Sequence, residues 1–420
     1  MCAKLEVAGP GFINIFLSTT WLARRVQSFV VDGVLPLREL REVAKGMTKQ
    51  MSPTVQELTA KIDEYARGMI SGPQSTLFEE LGFYYIGPVD GHDEQELEFA
   101  LGRARDFQRP VIVHAITTKG RGYAPAENDE ADRFHGVGVI DPDTGQPLTQ
   151  SGPTWTSIFA DEMLQIGHDE TDVVAITAAM LGPTGLERFA ASYPDRTYDV
   201  GIAEQHAATS AAGLAYGGLH PVVAVYATFL NRAFDQVLMD CALHNAGVTF
   251  VLDRAGVTGD DGPSHNGMWD MAMLGVVPGL HLAAPRDEST LRRALRESIA
   301  ISDAPSVVRF AKGALGPDIP AVRAQGGVDV LFDHDQDEVD VLVVAIGSFC
   351  SVALDVAARL RDQGITTRVV DPRWALPISP DVVEMSRQGR RVVVIEDGVR
   401  VGGIGAGISQ AMQDLSLIHI

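Results

Sequence analysis

The chain has 420 residues, 34 Lys and Arg against 55 Asp and Glu, a formal net charge of −21, 45% hydrophobic and 21% charged residues. Such a chain builds a real core, and its acidic balance argues against nucleic acid and anionic membrane surfaces as partners, since both demand clustered cations. No apolar run reaches the roughly 18 residues that cross a bilayer, no basic-then-apolar leader opens the chain, and its three cysteines (Cys2, Cys241, Cys350) are scattered without a CxxC pair, which fits a reducing, cytoplasmic setting.

At about 150 residues per domain the length implies two or three domains. Residues 22–66 carry helical patches, as at 37–44, without any strand pattern. From about residue 75, short β-branched runs alternate with longer amphipathic stretches, the signature of parallel sheets with crossover helices. Strands are expected at 111–117, 173–177, 196–200, 221–226, 248–252, 306–310, 339–346, 366–370 and 391–395. Helices are expected at 94–107, 154–166, 203–216, 230–244, 287–301, 350–363 and 379–388. Two polar stretches, 126–153 and 313–338, interrupt the pattern; the second ends in the acidic run 333–338, which reads as a solvated linker. The expected division is an atypical segment 1–60, an incomplete α/β block 61–148, a full α/β domain 150–318 and a partial α/β domain 335–415.

Three segments carry chemistry. In YDVGIAEQH (198–206) a strand runs into Gly201 and then Glu204 opens a small-residue helix; ligands bind at strand C-termini in open α/β sheets, although a carboxylate there also simply suits a helix N-terminus. In the stretch 224–237, Tyr226, Phe229 and Arg232 cluster where a strand gives way to a helix, with Phe229 and Phe234 equally readable as core aromatics. In 253–270 an Asp-Arg pair opens a loop holding Asp261 and His265 among several glycines. Arg254 offers a fork for phosphate or carboxylate, and His265 a proton carrier near neutral pH. Arg309 ends a later strand, and two arginines converging on one mouth would suit a phosphorylated substrate. YIGPVDGHD (85–93) and TKGRGYAPAE (118–127) look like strand-end turns, and each of them, like His135, reads singly as ordinary turn chemistry.

Taken in order, LFEELGF…YIGPVDGHD, KGRGYAPAEND, DVGIAEQH, TFLNRAFDQV, DRAGVTGDDGPSHNG and VVRFAKG resemble the 1-deoxy-D-xylulose-5-phosphate synthase family of the transketolase superfamily, over residues 60–414. The resemblance implies an α/β fold: a three-block transketolase-like architecture of doubly wound, mostly parallel sheets, with the first and third domains incomplete. It implies thiamine diphosphate and Mg²⁺ as cofactors, pyruvate and glyceraldehyde 3-phosphate as substrates, and a homodimer. Glu204 matches the glutamate that bonds the cofactor's aminopyrimidine ring and promotes the tautomer that removes the thiazolium proton. Phe229 matches the residue stacked on that ring; Tyr226 and Arg232 line the pocket, and Tyr123 touches the cofactor from the first domain. Arg254 and Arg309 match the phosphate clamp, while His265, Asp261 and His135 handle substrate hydroxyls and protons.

The sequence also departs from the family. Asp-Gly occurs at 32–33, 90–91, 261–262 and 397–398, never after a glycine, so the Gly-Asp-Gly motif that holds Mg²⁺ and the diphosphate has no match, and no metal ligand is assigned. Nor do the family's two upstream histidines. Residues 5–17 resemble a stretch near the start of arginyl-tRNA synthetases instead. These departures lead us to expect a fragment, joined to foreign sequence before about residue 60, with little activity and poor solubility by itself. Two other readings stay open: a non-catalytic fragment, and another transketolase-type enzyme. The glycine run 402–407 invites a dinucleotide reading, but position 408 is Ile where the GxGxxG spacing needs glycine, and a structural role is favoured.

Overall fold

The computed structural model describes residues 2–7, 13–17, 78, 81–129, 133–148, 152–334 and 336–416. The chain forms two compact units, Met1–Pro147 and Leu148–Ile420.

In the first unit, β1 (Cys2–Val7) and β2 (Ile13–Leu17) make an antiparallel hairpin. Strands β3 (Tyr84–Asp90) and β4 (Val111–Ile116) pair in parallel across helix α1 (Glu94–Asp106). Asp93 starts α1 by accepting the backbone N–H groups of Gln95 and Glu96, and the acidic first turn and basic last turn suit the helix dipole. The segment 85–93 is therefore the end of β3 and the turn into α1, as a strand-end turn requires. A short helix, α2 (Ala124–Glu127), follows.

The second unit runs through α3 (Trp155–Asp169), β5 (Val173–Thr177), α4 (Glu187–Ser192), β6 (Thr197–Asp199), α5 (Glu204–Tyr216), β7 (His220–Tyr226), α6 (Phe234–Gln236), β8 (Thr249–Ala255), α7 (Asp270–Leu274), β9 (His281–Ala283), α8 (Glu288–Ile299) and β10 (Ser306–Ala311). It continues through β11 (Arg323–Gln325), β12 (Val328–Phe332), β13 (Val339–Ala345), α9 (Cys350–Asp362), β14 (Thr367–Asp371), β15 (Trp374–Leu376), α10 (Pro380–Arg387), β16 (Gly389–Ile395) and α11 (Ile404–Ser416). One sheet has the order β15-β9-β10-β8-β7-β5-β6 and the other β11-β12-β14-β13-β16. In the first, every pairing is parallel except β15 on β9.

The period of two along each strand feeds two cores. Val223 and Val225 of β7 and Phe250 and Leu252 of β8 face one side with Ala207, Ala211 and Leu230. Val222, Ala224 and Val251 face the other, against Phe159 and Met163 of α3 and Leu291 and Leu295 of α8. The sheet is thus buried on both faces, as a doubly wound sheet requires. From β5 the chain steps outward to β6 and then returns to place β7 on the opposite flank of β5. That reversal opens a crevice at the strand C-termini.

Two expectations are corrected. The segment 230–244 is no regular α-helix: residues Ala227–Ala233 form a 3₁₀ helix, Phe234–Gln236 a single α turn and Val237–Ala242 a π-helix. The acidic run is no solvated linker at its start, because Asp333 accepts from Arg323 and Arg368 and His334 bonds Thr367. The Arg323 and Arg368 guanidiniums outweigh the burial that raises the Asp333 pKa and bring it below the usual range. The interval before it contains β11 and β12. In the glycine run, Ile404 and Gly405 donate their N–H groups to Glu396 at 2.8 and 3.0 Å, so a carboxylate of this chain fills the α11 N-terminus. A Cβ at Gly405 would sit 3.2 Å from Val394 Cβ, which explains the small residue by close packing.

Candidate active site

Glu204 begins the helix that follows the C-terminal end of β6. Asp199 accepts the N–H groups of Ala179 and Gly201 and so fixes the turn between β6 and α5. Glu204 is the first residue of α5 and only 4% exposed, with Arg232 Nη1 3.5 Å from Oε1. A buried carboxylate this loosely paired is poised to accept from a ligand.

The next feature follows from helix geometry. In a 3₁₀ helix, side chains three apart eclipse one another. Tyr226 caps the 3₁₀ segment, and Phe229 and Arg232 follow at that spacing. The Tyr226 and Phe229 rings stack at 5.7 Å and 13°, and the Arg232 guanidinium lies over Phe229 at 5.4 Å. An α-helix would have fanned these three side chains apart by its 3.6-residue turn. His265 then meets both rings edge-on, 5.5 Å from Phe229 and 6.4 Å from Tyr226, with Nδ1 3.0 Å from Ser264 Oγ. Thr228 steadies that loop by donating to the Ser264 carbonyl.

Arg254 closes the column from the far side. Its φ of +58° is left-handed, an uncommon conformation for a residue with a Cβ. The guanidinium lies 4.0 Å from the Tyr226 ring centroid and donates to Pro183 O at 3.1 Å. Asp253 is almost wholly buried, accepts from Thr156 Oγ1 at 2.7 Å through Oδ2, and leaves Oδ1 without a hydrogen bond, 3.5 Å from Arg254 Nη1. Burial pushes its carboxyl up to about 6, although Arg254 and Thr156 pull the other way. Burial likewise raises the Tyr226 phenol. Asp261 lies between two cations, 2.8 Å from Lys312 Nζ and 3.7 Å from Arg254 Nε.

The sequence paired Arg254 with Arg309. In the structure Arg309 is buried and already held, donating to Asp270 Oδ2 at 2.6 Å and to the Asp397 carbonyl at 3.0 Å. Tyr123 and His135 belong to the first unit: Tyr123 donates to Pro142 O at 2.9 Å and meets Phe134 edge-on, and His135 is exposed. Sequence reasoning missed Thr156 and Lys312. Thr156 lies far upstream of Asp253, with no local signal. Lys312 sat in view within VVRFAKG, just past a strand end.

The same arrangement of blocks recurs in known proteins. Family models match residues 24–117 (1-deoxy-D-xylulose-5-phosphate synthase), 151–317 (transketolase, pyrimidine binding domain) and 332–419 (transketolase, C-terminal domain). 1-Deoxy-D-xylulose-5-phosphate synthase 2 of Streptomyces coelicolor is 62% identical over 338 residues, 80% of this chain and 53% of the relative. The chain belongs to the 1-deoxy-D-xylulose-5-phosphate synthase family. The family synthase of Pseudarthrobacter chlorophenolicus is 62% identical over 397 residues, 94% of this chain and 57% of the relative. This synthase match and the first family model reach ahead of residue 60, and the likeness of residues 5–17 to arginyl-tRNA synthetases finds no support in them. The chain spans about half the length of these curated relatives.

Solved transketolases share the fold. A split-gene transketolase, titled an inactive β4 tetramer, is similar with a TM-score of 0.55 and 26% identity over 64% of this chain and 87% of that one. A Pichia stipitis transketolase mutant has a TM-score of 0.50 and 17% identity over 78% of this chain and 62% of that one.

Within the family the cofactor is thiamine diphosphate. The site fits its pyrimidine: a buried, loosely paired Glu204 offers an acceptor beside the aromatic face of Phe229. Among the described residues no group of three or more His, Cys, Asp or Glu side chains is placed to hold a metal ion, and no residue of this chain is assigned to Mg²⁺ or the diphosphate.

Proposed function

We propose that this chain carries the donor-activating and acceptor-recognising residues of a 1-deoxy-D-xylulose-5-phosphate synthase, which joins pyruvate, with loss of carbon dioxide, to glyceraldehyde 3-phosphate. The observation that carries the reading is the continuous file from buried Glu204 through Arg232, Phe229 and Tyr226 to Arg254 and Asp261. Thiamine diphosphate, when bound, supplies the nucleophilic carbon and electron sink that decarboxylation requires.

Each protein group then has a task. Glu204 accepts a hydrogen bond from the pyrimidine and holds its proton. Phe229 gives the ring a flat apolar wall, and Arg232 lies 3.5 Å from the Glu204 carboxylate. His265, edge-on to Tyr226 and Phe229, serves as the proton carrier at the acceptor carbonyl. Arg254 holds the acceptor's anionic end by charge-assisted hydrogen bonds. Tyr123 and His135 are assigned cofactor contact and proton handling from the first unit, cytoplasmic setting and homodimeric assembly being those expected of the family.

The test is incubation of the full chain with carbon-13 pyruvate, glyceraldehyde 3-phosphate, thiamine diphosphate and Mg²⁺, with products read by mass spectrometry. Slow formation of labelled 1-deoxyxylulose 5-phosphate, lost in Glu204→Ala, is expected. Label transfer only from a ketose phosphate donor would make the chain a transketolase instead. A second reading, that the isolated chain binds but does not turn over, is favoured by the split-gene transketolase chain titled inactive, 87% of which is covered. No product despite Glu204-dependent thiamine binding would select it.

A further inference from the structure

We propose that Asp397 is a positioning residue of the site: its carboxylate, carried on the turn after β16, fastens the base of the loop 256–267 and so fixes how His265 meets Tyr226 and Phe229. The inference goes beyond the reading above and rests on it only for the task of His265.

The loop is tied at its base and open at its tip. Gly256 and Gly267 exchange backbone hydrogen bonds of 3.0 and 2.8 Å. Asn266 Oδ1 accepts from both the N–H and the hydroxyl of Thr258 at 3.0 Å. No atom lies within 4 Å of where a Cβ would stand on Gly259 or Gly262, so the tip takes little orientation from packing at those positions. His265 stands two residues before Gly267. Apart from the Thr228 bond to the Ser264 carbonyl, its aim is set at the base, and a small rotation there would carry the ring off both aromatic partners.

The turn after β16 grips both legs of that base. On the first leg the Asp397 carboxylate lies directly on Gly256, where a Cβ would collide with both of its oxygens. Gly256 also has a φ of +77°, so glycine is required there twice over. Burial, and then the Asp270 charge, raise the Asp397 pKa, while Arg309 and the Val257 N–H favour its charged form. On the second leg Val399 donates its N–H to the Met268 carbonyl at 3.0 Å. The turn is itself anchored: Arg309 Nη2 donates to the Asp397 carbonyl at 3.0 Å while its Nε holds Asp270, and a Cβ on Gly398 would stand 2.7 Å from Met271 Cε. A fixed support from the last block of the chain thus reaches the loop that carries His265, and such outer contacts are what hold a reacting group in one geometry.

Two readouts on the full chain test this without turnover: amide hydrogen exchange by mass spectrometry, and the ring signal of His265 by NMR, assigned with His265→Gln. Asp397→Ala should speed exchange of the amides in 256–268 about tenfold and shift the His265 signal, with β7, β8 and the melting temperature unchanged. Asp397→Asn, which keeps an oxygen over Gly256, should restore both readouts to near the wild-type values. Gly256→Ala pushes the carboxylate away without removing it and should release the same amides. Its effect combined with Asp397→Ala should fall short of the product of the two single effects, because both act through one contact. Unchanged exchange and an unmoved His265 signal in Asp397→Ala, release spread equally over β16 and α11, or independent effects of the two substitutions would each overturn the proposal. Release of the loop in Asp397→Ala, in a chain that makes no 1-deoxyxylulose 5-phosphate, would leave this positioning standing and sink the synthase reading. Product formed by Asp397→Ala at the wild-type rate would do the reverse.

Discussion

Two arginine–aspartate clusters lie in the second unit, and they behave in opposite ways. Around Arg286 the cluster is closed: the guanidinium is buried, with Asp371 at 2.6 Å, Asp329 at 2.8 Å and Asp287 at 3.4 Å, and it also donates to Ile319 O. Burial alone would favour the neutral form, but the Asp371 and Asp329 carboxylates outweigh it and raise the Arg286 pKa. Around Arg254 the cluster is open: Asp261 and Lys312 are partly exposed and Asp253 keeps an oxygen without a hydrogen bond. The closed cluster joins the start of α8 to β12 and β14, so it couples the two sheets. The open one sits at strand ends and has bonding capacity to spare. The same residue types thus make a rivet where every oxygen is used and an open cluster where some are not.

The sharpest way to break the comparison is Arg286→Met. It leaves three carboxylates at one buried point without their guanidinium, and should destabilise the fold by about 3–5 kcal/mol in urea unfolding. Asp261→Asn, in the open cluster, should change stability by less than about 1 kcal/mol. Equal effects would erase the distinction.

Next in size is Glu204→Ala, which should lower carboligation by about a hundredfold or more while leaving the melting temperature near that of the wild type. A proportionate loss of stability would make Glu204 a structural cap instead.

Asp253→Asn sharpens the picture through pH. The unfolded carboxyl titrates near 3.8 and the folded one near 6. Between these values the folded state holds the extra proton, so the wild type loses stability as pH rises through that window, on the order of 2–3 kcal/mol in all. Asn has no such titration, so its stability relative to wild type should rise by that amount from about pH 4 to about pH 7. His220 is buried against Thr249 with its pKa lowered to about 4, chiefly by burial. It acts with the opposite sign: the unfolded state takes up its proton first, and stability falls as pH drops from 6.5 toward 4. The same His220 contribution is present in both chains and cancels in the difference.

Thr156→Val should have a smaller effect than these, though a larger one than Asp261→Asn. Losing one hydrogen bond to Asp253 should cost about 1–2 kcal/mol by denaturant titration and raise the Asp253 pKa further.

These clusters also show what the sequence could reveal. Buried strands such as Val173–Thr177 and His220–Tyr226 announce themselves by β-branched runs, and Glu204, Tyr226, Phe229 and Arg254 stand at the ends of such runs, where ligands bind. The helix expected at 230–244 has the right polarity pattern, yet its backbone is 3₁₀ and π, because hydrophobic spacing does not distinguish tight from wide turns when stacking decides. Short strands such as Trp374–Leu376, which completes the edge of the first sheet, carry too few residues for a period to show. The commitment of Arg309 to Asp270 and of Lys312 to Asp261 spans 39 and 51 positions, so only the fold reveals which cation is spoken for.

The central claim is that Glu204 and Phe229 hold the pyrimidine side of the cofactor while no assigned residue of this chain holds its diphosphate. Calorimetric titration of the full chain with thiamine and with thiamine diphosphate, each with and without Mg²⁺, tests it most directly. The account predicts weak binding of similar strength for both ligands, indifferent to Mg²⁺ and lost in Glu204→Ala. Tight, Mg²⁺-dependent binding of the diphosphate alone, or binding untouched by Glu204→Ala, would contradict it.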